Sequence, residues 1–467
     1  METVLELLNK LAGKGIKLSV EGNELNCYAQ KGSLTQEIID GIAQNKPKII
    51  NALRGYGNFQ SASAPANARN KAEKNGAPLD LEAEAALDPD IRPSAVIDGG
   101  VDFTTSKAIL LTGASGFLGA YLLHDLIATT EAWVYCLVRC RSESDGHERI
   151  KNNLLKYGLW NDIFASRIVP VPGDLARPFL GVGAETFDAL CNEIDTIYHN
   201  GAAVNFIYPY ANLKDSNVRG TEEVLRLACR VRTKPLHFVS TIGVYSPPPD
   251  RNARVLESDP PHNWQALTDG YRQSKWVAEK IVTIAADRGL PVRIYRPGFV
   301  TGDTTTGIWN TDDFLPRMLK GCIQLGIAPD SDAIIQMVPV DYVSKAIVHL
   351  SRQRELPANI FHIVSPHNIP TRELGHIMGS LGYKMTVVPY ADWRNALFED
   401  AKTSSKNALY PLLSMITEDP LLERMPIFDC RHTLEGLSGT QIVCPETNAA
   451  LMATYLTYYK RSGFLDT

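Results

Sequence analysis

The chain has 467 residues, 44% of them apolar and 21% charged; this is an ordinary soluble balance, and the length exceeds what one core serves, so two or three domains are expected. A net charge of −5 supplies no basic field for nucleic acid or an anionic membrane. Eight dispersed cysteines without a Cys-x-x-Cys pair, no basic leader and no long apolar run lead to the expectation of a cytoplasmic protein with no membrane partner. Cys136 and Cys140 lie in an apolar run and read as buried core thiols.

Residues 1–57 read as a compact unit: an amphipathic helix near 3–12, strands around 17–20 and 24–28 joined at Gly22-Asn23, and helices near 35–44 and 46–53. Leu5, Leu8, Ile38, Ile42, Ile49 and Leu53 recur at helical spacing and would close a small core. A domain of that size buries little, which suits adhesion better than catalysis. Residues 58–78 have linker composition, rich in Ala, Ser, Asn and Lys.

Strand and helix patterns then alternate. Strands are expected at 108–112, 133–138, 168–172, 196–199, 237–240, 292–295 and 360–364, separated by helices, which defines an α/β fold with a doubly wound parallel sheet. The core is placed in 79–302, with part of 336–365 returning to it, and the helix-rich remainder of 303–467 would shape a substrate site.

The first of these strands runs into Thr112-Gly-Ala-Ser-Gly-Phe-Leu-Gly119 and then a helix. Gly113, Gly116 and Gly119 allow a sharp turn and close backbone approach, and the helix start favours a pyrophosphate. Arg139 stands at the end of the second strand, where Rossmann enzymes that use NAD usually carry an acid; its guanidinium suits a 2′-phosphate, so NADPH is expected. Gly173-Asp174-Leu175 follows the third strand, where Asp174 could accept from the adenine amino group or serve as an ordinary turn residue. Asn200, Gly201 and Ala202 follow the fourth, where small residues let the chain pass near the cofactor or simply pack.

Tyr271 and Lys275 share a helix face, so the ammonium can lower the phenol pKa and bind the nicotinamide ribose. Tyr-x-x-x-Lys arises by chance, and Tyr210/Lys214 is a second instance, read as a surface pair. Context separates them: Thr241, at a strand end thirty residues upstream of Tyr271, can share the substrate oxygen. The ten histidines show no ligand spacing, so no metal site is expected. Met378-Gly-Ser-Leu381 reads as a helix terminus, and a Gly-x-Ser-x-Gly elbow is absent, which argues against a hydrolase.

Taken with Leu137-Val-Arg139, His199-Asn-Gly-Ala-Ala-Val-Asn205, Asn217-Val-Arg-Gly-Thr221, Ser240-Thr-Ile-Gly-Val-Tyr245, Arg296-Pro-Gly298 and Val338-Pro-Val-Asp-Tyr342, these motifs resemble the extended short-chain dehydrogenase/reductases that act as thioester reductase domains of nonribosomal peptide and polyketide synthases. The resemblance covers about 79–467. It implies a Thr241/Tyr271/Lys275 triad and NADPH contacts at Gly113, Ser115, Gly116, Phe117, Leu118, Gly119, Arg139, Arg149, Asp174, Leu175, Asn200, Gly201, Ala202 and Lys275. Within residues 1–57, Gly15-Ile-Lys-Leu-Ser-Val-Glu-Gly22 and Lys31-Gly-Ser-Leu-Thr35 resemble the tubulysin-synthase type of N-terminal docking domain, which implies capture of the C-terminal tail of an upstream synthase subunit. Seven cations there against six acids, a local +1, agree weakly with an acidic tail. The substrate would then be a peptidyl or acyl thioester on a phosphopantetheinylated carrier protein, supplied in trans and released as an aldehyde or, after a second reduction, an alcohol. A small-molecule reductase or epimerase and a non-catalytic docking adaptor are the alternatives.

Overall fold

The computed structural model describes residues 17–21, 24–28, 35–54, 79–94, 106–246, 253–404, 406–416 and 425–465. The helix expected at 3–12, the Gly22-Asn23 turn and the 58–78 linker lie outside them. The chain divides into two compact units. One comprises residues up to Asp80 with 311–330 and 382–421, the other 81–310, 331–381 and 422–467.

In the first unit, β1 (Lys17–Glu21) and β2 (Glu24–Tyr28) pair antiparallel, with Lys17 opposite Tyr28 and Glu21 opposite Glu24. The two helices expected after them are one, α1 (Gln36–Arg54), which continues through Pro47. A proline forfeits one backbone bond, and the turns on either side carry the helix past it. Ile38 and Ile49 are buried, as their spacing predicts. In the later part of this unit, the helix Phe314–Leu325 is capped by Asp313 and ends at Gly326 in the left-handed region, φ +72°. The strand that follows, Ile327–Asp330, pairs parallel with Thr386–Pro389.

The second unit is built on a seven-stranded parallel sheet: β3 (Ala108–Thr112), β4 (Trp133–Val138), β5 (Ile168–Pro172), β6 (Thr196–His199), β7 (Leu236–Val239), β8 (Val292–Pro297) and β9 (Ile360–Ile363). Their spatial order is β9-β8-β7-β6-β3-β4-β5. The order reverses direction at β3, so the chain ends of β3 and β6 diverge and leave a crevice at the carboxyl edge. Alternation sorts the core into two layers. Leu110, Ile197, Phe238 and Ile294 meet α4 (Ala184–Glu193), α5 (Gly220–Cys229) and α6 (Gly270–Asp287) in one apolar cluster. Ile109, Leu111, Val134 and Tyr198 share the other with α2 (Phe117–Thr129), α3 (Glu143–Lys156) and α7 (Val340–Ser351).

Tyr210 and Lys214 are not a surface pair. Tyr210 is 4% exposed and its hydroxyl donates to Glu84 at 2.9 Å, while the Lys214 ammonium lies 2.5 Å from the same carboxylate. Burial and the Glu84 charge push the phenol pKa far up, so it stays protonated and donates. The two residues anchor the short helix Leu81–Glu84. Cys136 is buried as expected; Cys140 is half-buried.

Candidate active site

Parallel register sets Thr112 level with Leu137 and His199, and His199 level with Phe238, so the residues following β3, β4, β6 and β7 emerge along one edge. The turn after β3 is tight. Gly113 has φ +77°, and a Cβ there would lie 2.7 Å from the Gly201 Cα; a Cβ on Gly119 would lie 1.9 Å from the Gly113 carbonyl oxygen. Gly116 differs: its nearest neighbour would be 3.3 Å away, and it is the exposed N-cap of α2, with no side chain capping the helix start. A helix opening with no side-chain cap, reached through a turn of small residues from Gly113 to Gly116, is a cradle for an anion, and the residues present fit the pyrophosphate of a dinucleotide. Asn153 of α3 holds the turn from the side, donating to the carbonyls of Ala114 at 3.2 Å and Gly116 at 3.1 Å. Ser115, Phe117 and Leu118 are partly exposed on this turn.

Arg139 is exposed beyond β4, and its carbonyl accepts from the Arg149 guanidinium at 2.7 Å. Two of the expected cations therefore share one corner, and Arg141 is exposed beside them. Asp174 is engaged as a turn residue: Oδ1 accepts from the Ala176 N–H at 3.0 Å, and Arg177 lies 3.9 Å from Oδ2. Leu175 packs its side chain on Gly201 and its backbone on Gly220. Asn200 and Gly201 face Gly113, and Ala202 is partly exposed in the next step of the chain.

Thr241 lies two residues past β7, and its Oγ1 accepts from the Gly243 N–H at 3.0 Å. Tyr271 occupies the first turn of α6, which Asp269 caps by accepting from Arg272 N–H at 2.8 Å. Gly270 lets that turn sit on the 208–210 backbone, where a Cβ would meet the Tyr208 oxygen at 2.4 Å. The Phe206 ring stands edge-on to Tyr271 at 5.2 Å and 74°. Lys275 is 3% exposed; its ammonium donates to the Val239 carbonyl at 2.8 Å and lies 4.2 Å over the Phe238 ring. Burial pushes its pKa down to about 7, against the opposing pull of Glu279 one turn further along.

Beneath these groups lies a buried charged network that sequence reasoning missed. Arg296, 1% exposed, pairs with Glu279 at 2.6 Å, and Glu279 accepts from Ser240 at 2.5 Å. The Arg296 guanidinium also meets the Tyr245 hydroxyl and, at 3.3 Å, His362. Glu257, 1% exposed, accepts from the N–H groups of His362 (2.9 Å), His432 (2.5 Å) and Thr433 (3.1 Å) and from the Thr433 hydroxyl (2.8 Å). No metal-ligating cluster occurs among the described residues.

A parallel α/β sheet with a glycine turn at its switch point and a Tyr/Lys helix beside it defines a nicotinamide-dinucleotide oxidoreductase. The chain belongs to the NAD-binding male sterility protein family, whose model matches 111–347, and 4–54 match the TubC N-terminal docking domain. Among its relatives are reductase domains of synthases. It is 45% identical to the terminal R domain of the myxalamid PKS-NRPS pathway, with a TM-score of 0.77, covering 83% of this chain and 98% of that one. It is 44% identical to a linear gramicidin synthase of Brevibacillus parabrevis over 82% of this chain, and 34% identical to L-2-aminoadipate reductase of Schizosaccharomyces pombe over 79%. The chain spans only 8% and 27% of the lengths of those two proteins. Among the described residues no helix is long and apolar enough to cross a membrane.

Proposed function

We propose that this oxidoreductase uses NADPH to release an acyl or peptidyl chain from a carrier-protein thioester as an aldehyde. The observation that carries the reading is Lys275, a buried ammonium on the Val239 carbonyl one helical turn from Tyr271 and beside the strand end that bears Thr241. The cofactor would be held by the glycine turn, with Arg139 and Arg149 at the 2′-phosphate and Gly201 and Ala202 along its path. Asp174 would meet the adenine through whatever capacity its turn bonds leave. When bound, the cofactor supplies hydride to the thioester carbonyl carbon.

The protein's own groups handle the oxygen and the proton. Thr241 hydrogen-bonds the carbonyl oxygen as negative charge grows there, and the Tyr271 hydroxyl gives that oxygen its proton. Lys275 favours the phenolate left behind, since a cation nearby stabilises the charged form. The resulting hemithioacetal collapses to aldehyde and the carrier thiol. A thioester is electrophilic enough that no covalent enzyme intermediate is required. Residues 1–57 would bind the C-terminal tail of an upstream subunit by backbone addition to the β1–β2 hairpin, and a cytoplasmic setting suits both partners.

The test is consumption of NADPH with an acyl-pantetheine thioester, read by loss of the reduced cofactor's absorbance and by mass spectrometry of the product. Aldehyde formation with NADPH preferred over NADH is expected. Equal use of NADH removes the 2′-phosphate role of Arg139, and no turnover of any thioester removes the reading.

A further inference from the structure

One buried polar side chain in the second unit has no role in the chemistry above, yet touches both halves of the site. His199 ends β6 at 2% exposure, and both ring nitrogens are engaged: Nδ1 lies 2.7 Å from the Thr112 hydroxyl and Nε2 2.9 Å from the Thr221 hydroxyl. The donors can be assigned. The Thr221 hydroxyl gives its one hydrogen to the Asn217 carbonyl at 2.6 Å, so toward His199 it can only accept, and Nε2 carries the proton. Nδ1 then accepts from Thr112, whose oxygen in turn accepts from the Gly201 N–H at 2.9 Å.

The chain of bonds continues past Asn217. Its side-chain amide grips Ala203 on both sides, accepting from the N–H at 2.7 Å and donating to the carbonyl at 2.9 Å, and also donates to the Ser274 hydroxyl at 2.9 Å. Ser274 donates to the Tyr271 carbonyl at 2.8 Å. The segment 201–203 is therefore pinned at one end to the residue that begins the glycine turn and at the other to the first turns of the Tyr271 helix. His199 joins the two pins. A slack segment would be costly, because Gly201 already fills the space a Cβ on Gly113 would need.

We propose that His199 is a positioning residue: as the neutral Nε2–H tautomer it couples the cofactor turn to the Tyr271 helix through Thr112, Thr221, Asn217 and Ser274. Burial, helped by the nearby Lys275 charge, pushes the imidazole down to about 3, which agrees with a ring that never donates from both nitrogens. A displacement of about 1 Å in such supports can cost about two orders of magnitude in rate.

The inference rests on the dinucleotide reading of the turn. In 15N spectra of the full chain, His199 should be protonated at Nε2 alone and unchanged from about pH 5 to 8; an Nδ1–H or titrating ring overturns the proposal. Fluorescence titration with NADPH should show His199→Leu weakened about tenfold or more, the order of cost of leaving the buried Thr112 hydroxyl without its partner. His199→Gln, whose amide offers one acceptor and one donor, should stay within about threefold. A core cut of similar thermal cost, Leu190→Ala on α4, should leave NADPH affinity unchanged. Equal weakening in that control, or none in His199→Leu, overturns the role; if His199→Leu does not fold, Thr221→Val carries the same expectation. A wild-type chain that binds neither NADPH nor NADH would instead remove the dinucleotide reading itself.

Discussion

Lys275 carries a cost as well as a role. Its pKa falls from 10.5 to about 7 because burial disfavours the ammonium. Between those values the unfolded chain holds the proton more tightly than the folded one, so stability rises with pH across the window and the full penalty applies below about 7. Lys275→Met should thus raise the melting temperature most at or below neutral pH, with the gain shrinking toward pH 10, as calorimetry across that range can show. A gain independent of pH would mean that the ammonium is not the source. Tyr271→Phe should lower turnover by about 10²-fold or more while leaving NADPH affinity unchanged; retained turnover would remove Tyr271 from the chemistry. The sequence made these residues visible because helical spacing and a strand end upstream are local facts. It misplaced Tyr210, whose partner Glu84 lies 126 residues away, and no local pattern reports such a contact. His199 opens the motif His199-Asn-Gly-Ala-Ala-Val-Asn205, but its bonds to Thr112 and Thr221 belong to the folded sheet.

At the scale of elements, the glycine turn offers a graded test. Gly119→Ala would place a methyl 1.9 Å from the Gly113 oxygen, whereas Gly116→Ala meets nothing nearer than 3.3 Å. The first should destabilise by about 1–3 kcal/mol through overpacking; the second should fold normally and lose cofactor affinity, since its methyl would point into the anion cradle. Equal melting temperatures for the pair would contradict the packing described. A second element-scale device sits at the end of α5. Lys234, fully buried, donates to the carbonyls of Leu227, Arg230 and Arg232 at 2.9–3.1 Å and so satisfies the helix terminus. Lys234→Met should cost about 2 kcal/mol in chemical denaturation by stranding those carbonyls. Apolar runs bounded by turns mark strands well, and all seven strands of the sheet lie within two residues of their expected ends. Lys234 as a cap was not legible, because a lysine before a strand ordinarily reads as solvated.

For the whole molecule, the docking reading makes a separate prediction. Tethering two modules raises their effective concentration toward the millimolar range. Removing residues 1–57 should therefore slow release from a carrier-bound thioester while sparing a free pantetheine thioester; equal loss on both would sink the docking role. That the second unit is assembled from three stretches, 81–310, 331–381 and 422–467, was only partly readable. The return of 360–363 to the sheet follows from strand pattern, but the return of 425–436 depends on Glu257, an acid whose partners, the N–H groups of His362, His432 and Thr433 and the Thr433 hydroxyl, lie far along the chain.

Glu257 also bears on how the protein is made. As the chain leaves the ribosome, the residues around 257 are synthesised well before His432 and Thr433, which provide three of its four donors. Until then the carboxylate must stay in water, because burial alone raises its pKa and disfavours its charge. The backbone around Glu257 therefore reaches its final form only after residues 432 and 433 have emerged. A nascent fragment ending before residue 430 would be expected to remain protease-sensitive around Glu257 even with the early strands in place, so this corner of the fold closes later than the sheet beneath it.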